Sequence, residues 1–131
     1  MTEIRRELRA SPAAGREARR ALDGWLSALV GERTADDVRL AASELIDNAV
    51  RHGGLAADDV IVLSGIATPD IVRINIEQPT PVGDLRPVAP GERDMTEGGF
   101  GLRLVQAFAT TWGFSGDRPG SVWFEVDRDV S

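Results

Sequence analysis

The strongest constraint on the fold of this chain is a pair of adjacent strand-type patterns. Residues 60–67, VIVLSGIA, form a short and largely apolar run. After Thr68-Pro69-Asp70, the apolar residues Val72, Ile74 and Ile76 alternate with Arg73 and Asn75. Two such runs around a Thr-Pro-Asp turn predict an antiparallel hairpin with one apolar face that needs cover. The upstream sequence supplies the cover. Ser11-Pro12 reads as an N-cap followed by proline at the first helical position. Ala14, Ala18, Ala21, Leu22, Trp25 and Leu29 then recur at helical spacing until Gly31. Gly15 and Gly24 weaken this helix, so packing must hold it. Thr34 reads as the N-cap of a second helix, with Asp36 and Asp37 in its first turn. Its stripe is Val38, Ala41, Ala42, Leu45 and Ala49, and Gly53-Gly54 stop it.

The remaining elements agree with a layered arrangement. A short strand opens the chain at residues 4–9. A short helix is expected from Leu102 to about Thr110, followed by strands at 112–115 and 121–127. Val122, Phe124 and Val126 share one side of the last strand, and Asp117-Arg118-Pro119-Gly120 forms the turn before it. This order predicts an α+β fold, a two-layer sandwich with helices on one face of a mostly antiparallel mixed sheet. With 131 residues, 42% of them apolar, and no internal repeat, residues 1–131 are expected to form one domain with its own core. Residues 78–99 hold four of the seven prolines and four of the fourteen glycines without usable periodicity. Such a stretch inside a compact domain is functional or mobile.

Composition removes most catalytic options. All fifteen basic residues are Arg, so a lysine-bearing phosphate loop, a Schiff base and a lysine general base are all impossible. The chain has no cysteine, which excludes disulfides and thiolate zinc sites and makes a cytoplasmic location the natural expectation. A single histidine, His52, leaves little room for a His-centred triad or metal cluster; capping or packing at the helix end is its ordinary role. The net charge of -6 argues against sequence-independent nucleic-acid binding. No apolar run reaches the ~20 residues of a membrane helix, and the N-terminus lacks a signal-peptide apolar region. Arg5, Arg6, Arg9, Arg16, Arg19 and Arg20 read as solvated, and Trp25, Trp112 and Trp123 as core or edge packing.

Two constellations remain for chemistry. In Glu44-Leu45-Ile46-Asp47-Asn48-Ala49-Val50-Arg51-His52-Gly53, a helix of 100° per residue sets Glu44, Asn48 and Arg51 within roughly 60° of one another. A carboxylate, a carboxamide and a guanidinium then border the apolar stripe. Taken alone, such a set is most simply a solvated helix face. The second is Gly98-Gly99-Phe100-Gly101 ahead of a helix, where glycines let backbone amides approach an anion. Alone, it reads as a flexible loop end.

Together, in this order and with two strands between them, the constellations resemble the GHKL superfamily of ATPases and kinases. Within it, the chain looks like the stand-alone anti-sigma-factor serine kinases and their actinobacterial relatives. Glu44 to His52 resembles the family's N box, and Gly99-Phe100-Gly101-Leu102-Arg103-Leu104-Val105 its second glycine box. The resemblance runs from the first strand to Gly120-Ser121-Val122-Trp123-Phe124-Glu125. It implies a Bergerat-type sandwich that binds ATP with Mg2+ beneath a lid at about residues 79–99. It also implies that Asn48 ligates Mg2+, and that Glu44 is the base toward a serine hydroxyl or water. By the same resemblance Gly99, Gly101 and Leu102 offer amides to the phosphates, Arg51 and Arg103 compensate charge, and Ser121 helps to hold adenine through water. The implied activity is that of a serine/threonine-protein kinase. Its implied partners are a sigma factor and an anti-sigma-factor antagonist, with a homodimer as one assembly and no direct contact with nucleic acid or membrane.

One departure stands out. Where the family has an Asp that accepts a hydrogen bond from the adenine amino group, this chain has Gln78, with Glu77 one residue early. A shift to Glu77 would point the side chain to the opposite strand face. A neutral acceptor in place of a charged one costs about 1 kcal/mol or more in a buried site. The competing expectation is therefore a degenerate GHKL-fold interaction module with weak or no nucleotide binding.

Overall fold

A computed structural model describes residues 2–82 and 99–128. The elements run β1 (Thr2–Arg9), α1 (Ala14–Ser27), α2 (Glu32–His52), β2 (Val60–Ala67), β3 (Ile71–Gln78), α3 (Gly99–Phe108), β4 (Thr111–Ser115) and β5 (Gly120–Asp127). The strands form one sheet in the order β1-β2-β3-β5-β4. Every pairing between these strands is antiparallel, so the sheet, expected above as mostly antiparallel, is wholly so among the described residues. The α+β two-layer sandwich stands. The predicted lid, about 79–99, falls largely on residues 83–98, which lie outside the described residues.

One face of the sheet carries the core. Ile61, Leu63 and Ala67 of β2, Val72, Ile74 and Ile76 of β3, and Val122, Phe124 and Val126 of β5 are all buried. They meet the helical stripes Ala14, Ala18, Leu22 and Leu26 of α1, and Ala35, Val38, Ala41, Ala42, Leu45, Ile46 and Ala49 of α2. Helix α2 lies in the middle of the helical layer, against α1 on one side and α3 on the other. The alternation that predicted the hairpin is the burial pattern of β3, where every second residue from Val72 to Gln78 is buried.

The helix starts differ from expectation. Ser11 Oγ accepts the Ala13 N–H at 3.3 Å, so the Ser-Pro segment forms a turn and α1 begins two residues later. Gly31, in extended geometry at φ -66° and ψ 164°, is the N-cap of α2; Thr34 lies inside the first turn. Leu29 and Val30 are buried in the reversal between the helices, which sets where α2 can begin. The other end is as predicted: Gly53 caps α2, and Gly54 takes φ +68°, a left-handed conformation that suits glycine. Trp25 and Trp112 pack against the core, while Trp123 lies on the outer face under the Arg73 guanidinium, 4.1 Å from its ring centre.

Candidate functional site

The polar side chains of α2 are aimed by the apolar ones. Leu45, Ile46 and Ala49 are buried, which fixes the roll of the helix. Glu44 and Asn48 then lie half-buried, one turn apart, with Arg51 exposed beyond them. Arg51 Nη2 donates to Asn48 Oδ1 at 3.2 Å, the local contact expected for residues three apart on a helix. Ser43 is buried but satisfied, its hydroxyl donating to Leu40 O at 2.9 Å.

Helix α3 packs along α2 and begins at Gly99, earlier than the apolar periodicity suggests. Gly99, Phe100 and Gly101 thus form the first turn of the helix itself. The amides of Gly99, Phe100 and Gly101 are first-turn donors without acceptors within the helix, at its positive end. Leu102 and Val105 are buried and anchor α3, Arg103 is half-buried, and Phe108 meets Phe124 edge-on at 5.7 Å. The N-box residues and the glycine turn therefore stand on neighbouring helices.

The end of β3 carries a third group. Gln78 is buried, and its Nε2 donates to Thr80 Oγ1 at 2.9 Å and to Pro81 O at 3.1 Å. Thr80 Oγ1 in turn donates to Gly53 O, the C-cap of α2, at 2.6 Å. Gln78 shares the helix-facing side of the sheet with its partner Gly120, whereas Glu77 alternates to the other side. Ser121 stands in β5 one residue past Gly120, the strand partner of Gln78. It pairs with Glu77 and Ser115 on the outer face, because β5 buries Gly120, Val122, Phe124 and Val126 toward the helices. Ser121 is not brought together with Gln78. Thr80 is a participant that sequence reading missed; the only signal was a hydroxyl two residues past the Gln, in a proline-flanked segment.

Among the described residues, no group of three or more His, Asp or Glu gathers as a metal site. Mg2+ seldom uses such a group; one or two protein oxygens plus phosphates are its usual shell. A lone carboxamide beside a carboxylate on α2 fits that donor set. A separate cleft of about 340 Å³ lies between the end of α1 and the start of α2, with Ser27 and Glu32 in its lining. Its Arg39 is already engaged by Asp23 and Asp36. No helix among the described residues is long and apolar enough to cross a membrane.

Comparison with known proteins agrees with this fold. The histidine kinase-like ATPase domain family matches over residues 8–123. Among solved structures, the RsbU and RsbW domains of Rv1364c from Mycobacterium tuberculosis superpose with a TM-score of 0.74 at 19% identity. The match covers 99% of this chain and 33% of that one, so this chain spans about a third of its length. At that identity the likeness is one of fold. No curated protein matches the chain.

Proposed function

This chain belongs to the histidine kinase-like ATPase family, and on that premise we propose that it is an ATP-dependent regulator that phosphorylates a serine of a partner protein. The observation that carries the reading is the position of Glu44 and Asn48, one turn apart on the helix that packs along α3 and its Gly99–Gly101 turn. Asn48 would contribute a carboxamide oxygen to Mg2+, and the first-turn amides of α3 would face the phosphates, with Arg51 and Arg103 offsetting charge. Gln78 would receive the adenine amino group. Glu44 would take the proton of the attacking hydroxyl as the γ-phosphoryl group passes to the serine oxygen and ADP leaves. Magnesium-bound ATP supplies the phosphoryl group and neutralises charge; the chain's own part is positioning. By the motif resemblance, the partners would be a sigma factor and its antagonist, the antagonist carrying the serine.

The test is transfer from labelled ATP to candidate antagonists. Glu44→Gln is expected to slow transfer by about 10²-fold or more while nucleotide still binds. Equal transfer by both proteins would remove Glu44 as the base.

One feature favours a second reading, a GHKL-fold interaction module without tight nucleotide binding: the acceptor at position 78 is neutral. Calorimetry with Mg-ATP separates the two. Micromolar affinity supports the kinase reading, and silence at millimolar ATP supports the module.

A further inference from the structure

We infer that Thr80 is a positioning residue: it fixes the polarity of the Gln78 amide, so that the site takes a base bearing an amino group and rejects its 6-oxo counterpart. This rests on the nucleotide-binding reading above. The chain of donors starts at the C-cap of α2. Gly53 O can only accept, and Thr80 Oγ1 lies 2.6 Å from it, so the hydroxyl proton is committed there. The hydroxyl oxygen is left as an acceptor, and Gln78 Nε2 stands 2.9 Å away. The second Nε2 proton meets Pro81 O at 3.1 Å, another group that can only accept.

Both donors of the amide are therefore consumed. A flipped amide would set Oε1 against a carbonyl and against a hydroxyl whose proton is engaged elsewhere. With Gln78 only 5% exposed, such mismatched pairs carry the cost of buried unsatisfied groups. What Gln78 retains for a base is Oε1, an acceptor. Thr80 is itself held from the other side. Its carbonyl accepts the Gly120 N–H at 3.2 Å, and a Cβ at Gly120 would lie 2.5 Å from that carbonyl oxygen and 2.7 Å from Val82 N. Position 80 thus ties the end of β3 to the C-cap of α2 and to the start of β5, and the amide cannot turn independently of that knot.

An acceptor-only group pairs with the 6-amino group of adenine and meets the 6-oxo group of hypoxanthine lone pair to lone pair. A buried pairing of this kind is worth about tenfold or more in selectivity.

The test compares binding of ATP and ITP, which differ in the 6-substituent and in the N1 proton that accompanies the 6-oxo group, to the full chain with Mg2+. Wild type and Thr80→Ser are expected to favour ATP by at least about tenfold. Thr80→Val should lower that ratio about fivefold or more, because a released amide N–H can turn to a 6-oxo group. In the nucleotide-free protein, NMR should find the Gln78 side-chain amide protons exchanging slowly in wild type and Thr80→Ser, and fast in Thr80→Val. If Thr80→Val does not fold, Thr80→Ala provides both readouts. A variant that weakens ATP and ITP alike, leaving the ratio unchanged, overturns the inference while the ATP-binding reading stands. A wild type that binds neither nucleotide overturns both.

Discussion

The carboxylate of Asp47 occupies the space that a Cβ on Gly15 would need: Asp47 Cγ lies 2.8 Å and Oδ2 3.0 Å from that ideal position. Gly15 is buried near the start of α1, and Asp47 sits on α2 between the N-box residues Ile46 and Asn48. The glycine that looked like a weakness of α1 therefore leaves room for the Asp47 carboxylate against that helix.

Gly15→Ala is expected to destabilise the protein by about 1–2 kcal/mol, since the clash outweighs a helix-propensity gain of up to about 1 kcal/mol. In an Asp47→Ala background the same substitution should be neutral or stabilising. Chemical denaturation of the four proteins measures this coupling, and additive effects would rule out the contact.

Trp25 offers a second test. Its Nε1 is buried with no hydrogen-bond partner among the described residues, and its ring lies over Gly65 of β2, where a Cβ would come within 2.7 Å of Cη2 and 3.0 Å of Ile4 Cγ2. Trp25→Phe removes the orphaned donor along with some apolar area, so stability should stay within about 1 kcal/mol of wild type. Gly65→Ala should cost about 1–3 kcal/mol through overpacking. A large loss with Trp25→Phe would mean that the indole N–H is satisfied in solution.

Arg128 closes the fold at a distance in sequence. Its Nε donates to Leu29 O at 3.0 Å, its Nη1 to Thr68 O at 2.6 Å, and its backbone N–H to Asp70 O at 2.8 Å. Arg128→Ala is expected to cost about 2–4 kcal/mol, because two part-buried carbonyls lose charge-assisted partners. Arg128→Lys should recover only part of this, since an ammonium lacks the fork that reaches both. Thermal and urea unfolding read the difference.

Asn48 tests the metal assignment of the proposed function. Asn48→Ala should raise the Kd for Mg-ATP at least about tenfold, with little difference between the proteins in EDTA. Because Asn48 is only half-buried, global stability should change by no more than about 1 kcal/mol. An equal loss of affinity with and without Mg2+ would exclude it as a ligand.

Much of this fold is readable from local pattern. The alternation of Val72, Ile74 and Ile76, the stripe from Val38 to Ala49 and the Gly53-Gly54 stop each depend on residues within a turn or two of one another. The N box and the glycine turn are equally local, which is why they could be recognised as motifs. Helix starts were harder. Gly31 rather than Thr34 caps α2, because burial of Leu29 and Val30 outweighs a side-chain cap.

What sequence alone determined, then, is the kind and order of the elements and the spacing of Glu44, Asn48 and the glycines within them, because helical and strand periods are set by the backbone over a few residues. Which side of the sheet Ser121 and Gln78 occupy, where the hydroxyl of Thr80 sends its proton, and why Gly15 must lack a side chain were decided only in three dimensions. Those features depend on strand register and helix approach between residues far apart in the chain, and a one-residue slip in register reverses every side chain on a strand.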